Sequence, residues 1–135
     1  MGRIGAVAEQ PIRWEHVGII AQGDLYEPTV AFYEQIFGWK RVRESASPAR
    51  LAFLSDGHGG MIEIIDTSGP GVFNPAHLAF VVDVADFDAV RNRLADAGVP
   101  FDPTIRTPAG DLLAFFNDPA GNRAQIVGRA VPLEG

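Results

Sequence analysis

The chain has 135 residues, 47% of them hydrophobic and 21% charged, which suits one folded domain and excludes a disordered chain or a multidomain assembly. Its 17 acidic and 11 basic residues give a net charge of −6, so a nucleic-acid backbone or an anionic membrane would be repelled, and no nucleic-acid or membrane partner is expected. Cysteine is absent, which removes disulfides and thiolate chemistry and leaves any metal site to nitrogen and oxygen donors. No apolar run nears the ~20 residues of a membrane span, and residues 1–10 lack the pattern of a secretion signal. The expected location is cytoplasmic.

In chain order, the first apolar strand-like run is Glu15-His16-Val17-Gly18-Ile19-Ile20. A helix is predicted over 28–37, with Pro28 at its first position, Val30, Tyr33 and Phe37 at helical spacing and Gly38 as the left-handed residue beyond its end. Leu51-Ala52-Phe53-Leu54, the Gly-rich turn 56–60 and Met61-Ile62-Glu63-Ile64-Ile65 read as a hairpin. A joint follows at 66–71, rich in Gly, Ser and Pro.

The series then repeats. His77-Leu78-Ala79-Phe80-Val81 matches the first strand, with its His 61 residues after His16. A second helix over 86–97 has Asp86 as its cap and Gly98 as its stop; Leu113-Ala114-Phe115-Phe116, the turn 118–122 and Arg123-Ala124-Gln125-Ile126-Val127 complete the copy. Landmarks recurring at 60–62 residues define two βαβββ units within a single domain, module one about 12–66 and module two about 73–129. The expected class is α+β.

Strand side chains alternate between two faces, and a helix can cover only one. The other face then carries His16, Glu63, His77 and Gln125, at two pairs of equivalent positions among apolar neighbours. Burying an unpartnered polar group costs about 2–7 kcal/mol, so each needs a partner. Two readings supply one: a hydrogen-bonded cluster, or a divalent metal held by two imidazoles, a carboxylate and an amide oxygen. The symmetry of the positions favours the metal, with Zn, Ni, Co, Mn and Fe all compatible with such donors. His58 reads as a solvated loop residue, the stripe Phe32, Tyr33, Ile36, Phe37, Trp39 as helix-on-sheet core, and Asp83, Asp86, Asp88 and Asp96 as caps or a solvated face.

The runs Glu15-His16-Val17-Gly18-Ile19, Phe32-Tyr33-Glu34-Gln35-Ile36-Phe37-Gly38-Trp39, His77-Leu78-Ala79-Phe80 and Phe116-Asn117-Asp118-Pro119-Ala120-Gly121-Asn122 resemble the vicinal oxygen chelate superfamily, which includes glyoxalase I, methylmalonyl-CoA epimerase, extradiol dioxygenases and fosfomycin- and bleomycin-resistance proteins. The resemblance implies two tandem modules forming a cupped mixed sheet with helices outside, one divalent metal ion, and pairing of two chains into a homodimer. It places the metal ligands on His16, Glu63, His77 and Gln125. Most metal-binding members carry Glu where Gln125 stands, so the pattern moves away from dioxygenases and fosfomycin-resistance proteins. Ile20 and Thr67 stand where glutathione-dependent glyoxalases hold an Arg and an Asn, which speaks against a glutathione conjugate.

A pocket wall of Trp14, Ile20, Met61, Ile65 and Val81, with Arg123 as its cation, fits a small, partly hydrophobic oxygenated substrate. The expected function is a metal-dependent lyase or isomerase of glyoxalase type that forms a metal-stabilised enolate, with Glu63, the one carboxylate of the four, as base. The alternative is a non-catalytic module that binds a drug or metabolite. Such members often lose ligands, whereas this chain keeps four donors.

Overall fold

A computed structural model describes residues 11–69 and 76–133. Residues 1–10 and part of the joint, Pro70 and Gly71, lie outside the described residues. The chain divides into two compact units, one formed by 15–78 and the other by 79–132 together with the start of the first strand. Each has the βαβββ order, and the α+β class stands.

In the first unit, β1 (Arg13–Ile20) leads through a 3-10 turn (Gly23–Leu25) into α1 (Tyr26–Gln35), followed by β2 (Lys40–Ser45), β3 (Leu51–Ser55) and β4 (Met61–Ile65). The strand order is β2-β3-β4-β1, antiparallel except for β4 and β1, which run parallel with Gly18 beside Glu63. Strand alternation puts Ala52, Leu54, Ile62 and Ile64 under α1, where they pack with Tyr26 and Val30. The opposite face is left to Phe53 and Glu63, which pair across β3 and β4.

The second unit repeats the plan: β5 (His77–Asp83, entering from the first unit), a 3-10 turn (Val84–Asp86), α2 (Phe87–Asp96), β6 (Ile105–Arg106), β7 (Leu112–Asn117) and β8 (Arg123–Arg129), in the order β5-β8-β7-β6. Phe87 and Val90 of α2 pack on Val82, Ala114 and Ile126. The duplication extends to hydrogen bonds in the turns. Asp56 accepts from the N–H groups of His58 and Gly60, and Asp118 from those of Ala120 and Asn122.

Three local expectations are corrected. Pro28 is the third residue of α1 rather than the first, because a 3-10 turn starts the helix two residues earlier; this is tolerated since the first four N–H groups of a helix have no internal partner. Asp86 does occupy the N-cap position, but its side chain makes no capping bond, the preceding 3-10 turn having brought it into helical backbone geometry. The aromatic stripe is core only in part. Tyr33 and Trp39 pack on the core, while Phe32, Ile36 and Phe37 are 47%, 71% and 52% exposed. A ten-residue helix lying on a sheet buries one stripe; Phe32 falls outside it, and Ile36 and Phe37 lie beyond the helix, which ends at Gln35. Gly38 and Gly98 adopt the expected left-handed φ, +75° and +103°.

Asp66 ties the end of β4 to the turn before α1: it accepts from the Gly23 N–H at 2.9 Å, from the Ser68 N–H and hydroxyl, and from Arg50. The Gly23 N–H and then the Ser68 groups hold its carboxyl well below the usual carboxylate range. A lowered folded-state pKa contributes stability above the unfolded value of about 4, and this is lost as pH falls further. The stability gap between wild type and Asp66→Asn should therefore be widest near neutrality and close in acid. Urea titrations across that range check it, and a gap independent of pH would refute it.

Candidate metal centre

Three of the four sequence-predicted donors converge within the first unit. His16 lies on β1, Glu63 on β4 and His77 at the start of β5, all buried. The Nε2 atoms of the two imidazoles are 3.3 Å apart, and each is 3.3 Å from Glu63 Oε1. The donors thus form a triangle with equal sides.

The residues flanking Glu63 on neighbouring strands produce this arrangement. Glu63 sits between Gly18 on β1 and Phe53 on β3. Gly18 has no side chain, and its space is filled by the His77 ring: a Cβ there would lie 2.4–2.9 Å from Cε1, Nδ1 and Nε2 of that imidazole. On the other side the His16 ring meets Phe53 edge-on, with ring centroids 5.0 Å apart. Glycine on one flank and an aromatic ring on the other therefore hold both imidazoles against one carboxylate oxygen.

The electrostatics ask for a cation. A carboxylate only accepts, and a neutral imidazole can offer either a donor or an acceptor at Nε2 but not both. Burial disfavours protonated His16, yet its hydrogen bonds to Glu15 and Glu63 and the charges of both outweigh burial and raise its pKa. Burial likewise would raise the Glu63 carboxyl, but hydrogen bonds from both imidazoles prevail and lower it to about 2. Both shifts express attraction between positive charge on the imidazoles and the buried carboxylates, Glu15 and Glu63 for His16. A divalent ion would satisfy it without protons: bonds of ~2.0–2.1 Å in tetrahedral geometry separate neighbouring ligands by ~3.3–3.4 Å, which the observed triangle matches. The residues fit a metal, and among the described residues these three form the group of His and acidic side chains able to hold one.

The fourth expected donor, Gln125, is buried on β8 in the second unit, and its Oε1 has no hydrogen-bond partner among the described residues. Of the expected pocket wall, Met61 and Ile65 are buried on β4 and Val81 is half-buried, whereas Trp14 and Ile20 are 47% and 44% exposed. Trp14 meets Phe80 edge-on. Arg123 is not a free cation: it is ion-paired with Asp102, bonded to Asn117 and stacked over Phe115. His58 is exposed in its turn, as expected.

Glu15 is the residue that pattern reading missed. Its carboxylate is buried and accepts from His16 Nδ1 at 2.9 Å. An acidic side chain immediately before the strand's apolar positions was the available signal, but alternation alone would turn neighbours to opposite faces.

A duplicated βαβββ plan with a buried nitrogen-and-oxygen donor cluster able to hold a metal defines a class of small proteins built from paired modules. The match to a family model over residues 14–126 makes this specific: the chain belongs to the Glyoxalase/Bleomycin resistance protein/Dioxygenase superfamily. Among solved structures, a variant of Streptomyces coelicolor methylmalonyl-CoA epimerase in complex with 2-nitronate-propionyl-CoA is 25% identical, covering 88% of this chain and 98% of that one at a TM-score of 0.69. Methylmalonyl-CoA epimerase from Mycobacterium tuberculosis (22% identity, 88% and 89% coverage, TM-score 0.74) and a hypothetical protein from Bacillus halodurans C-125 (16%, 92% and 99%, 0.75) share the fold. No curated protein matches the chain. Among the described residues, no helix is long and apolar enough to cross a membrane.

Proposed function

We propose that this chain is a divalent-metal-dependent lyase or isomerase of glyoxalase type that removes a proton from carbon next to a carbonyl in a small oxygenated substrate. The observation that carries the reading is the buried 3.3 Å triangle of His16, His77 and Glu63, whose charges call for a cation. When bound, the ion supplies Lewis acidity toward a carbonyl oxygen, which lowers the cost of losing the adjacent proton.

The chain's own groups do the rest. Glu63 is held ionised and so stands ready to accept a proton at a carboxylate oxygen. Burial works to raise its proton affinity, and the contacts with His16 and His77 lower it. Met61 and Ile65, two residues to either side of Glu63 on β4, are apolar and buried, and keep water from that face. A branched acyl-CoA thioester is the first substrate to try, since the epimerase structure at 25% identity holds a CoA compound.

Protein purified without chelator or affinity-tag metal should contain about one divalent ion per chain, and should exchange the α-proton of methylmalonyl-CoA or of a 2-oxoaldehyde–thiol adduct with deuterated solvent. Tight ligand binding without exchange on any candidate, catechols included, would replace the enzyme by a binding module. The chain is also expected to form a homodimer, the exposed Phe32, Ile36 and Phe37 adding apolar surface to the module edges. Light scattering giving the monomer mass at high concentration would remove that expectation and leave the site standing.

A further inference from the structure

We propose that Glu15 is a positioning residue that commits His16 to the tautomer able to bind metal, and so decides between a metal-binding cluster and a closed, metal-free one. The inference rests on the metal reading above. Glu15 Oε1 lies 2.9 Å from His16 Nδ1, and a carboxylate can only accept, so the proton of the neutral ring resides on Nδ1. The lone pair then belongs to Nε2, the atom that faces Glu63 Oε1 and His77 Nε2.

The alternative is chemically open to the same three residues. With its proton on Nε2, His16 would donate to Glu63 across the existing 3.3 Å contact, and the triangle would satisfy itself without an ion. Glu15 makes that state costly, because the buried 2.9 Å hydrogen bond from His16 Nδ1 would then be lost. It also adds a second negative charge beside Glu63, so that two carboxylates and two neutral imidazoles balance one divalent cation. Outer carboxylates that orient a metal-bound imidazole typically contribute 10–100-fold in metal affinity.

The test uses the full chain in three forms, wild type, Glu15→Gln and Glu15→Leu, with zinc and cobalt ions as probes. Nitrogen-15 NMR of the metal-free protein at alkaline pH reads the His16 tautomer directly. Competition with a chromophoric chelator reads metal affinity, and circular dichroism checks that each variant folds. Wild type should show Nδ1–H; the Gln variant, whose amide oxygen can still accept, should keep that tautomer and lose about tenfold in affinity through the missing charge. The Leu variant should shift toward Nε2–H and lose up to about 100-fold. Wild type with Nε2–H, or a folded Leu variant with unchanged tautomer and affinity, would overturn the proposal. Should the Leu variant fail to fold, the wild-type tautomer and the Gln affinity still decide. Wild type that shows Nδ1–H but binds neither ion would instead overturn the metal reading on which the proposal rests.

Discussion

Glu63→Gln is expected to lower turnover by roughly 10²–10⁴-fold while leaving most of the metal bound, because the amide keeps an oxygen donor of nearly the same shape and removes the one carboxylate of the triangle. The separation of the two readouts is the point: bound metal reports coordination, and exchange of a substrate α-proton with deuterated solvent reports proton transfer. Full exchange activity in the Glu63 variant would end its assignment as base. Loss of metal from that variant would show that charge, and not shape, dominates coordination.

The largest stability effect is expected at Asp111→Ala in the second unit. Asp111 Oδ2 pairs with Arg129 Nη1 at 2.9 Å, with side chains only 5% and 8% exposed, and Oδ1 accepts from the Ala130 N–H at 2.8 Å. The segment is closed from the other side by Thr107, whose N–H donates to the Asp111 carbonyl and whose hydroxyl accepts from the Asp111 N–H. Truncation leaves the Arg129 charge buried beside the gap and should cost about 3–5 kcal/mol, a large part of the ~5–15 kcal/mol that holds a domain together. Asp111→Asn, which keeps an acceptor for Ala130, should cost less. Urea unfolding at constant m-value measures both, and a loss below about 1 kcal/mol for the Ala variant would show that the pair contributes little.

The duplication, the α+β class and the convergence of His16, Glu63 and His77 were legible in the sequence for one physical reason. A strand under a helix must be apolar on the covered face, so a His or Glu recurring on the other face at a fixed offset marks a shared position. The sequence also determined the two glycine stops and the Asp-led turns, which depend on neighbours in the chain. What depends on distant neighbours was decided by the tertiary structure. Which apolar residues in and just after α1 are buried follows from how wide a stripe the sheet covers and from where the helix ends, leaving Phe32, Ile36 and Phe37 outside. Whether Arg123 is a free cation follows from Asp102, 21 residues away in the chain. That Gly18 makes room for the His77 ring, and that Glu15 reaches the His16 Nδ1 atom against simple alternation, follow from the packing of β1 against its neighbours. Periodicity names the face a residue shares; only packing sets which atoms on that face meet.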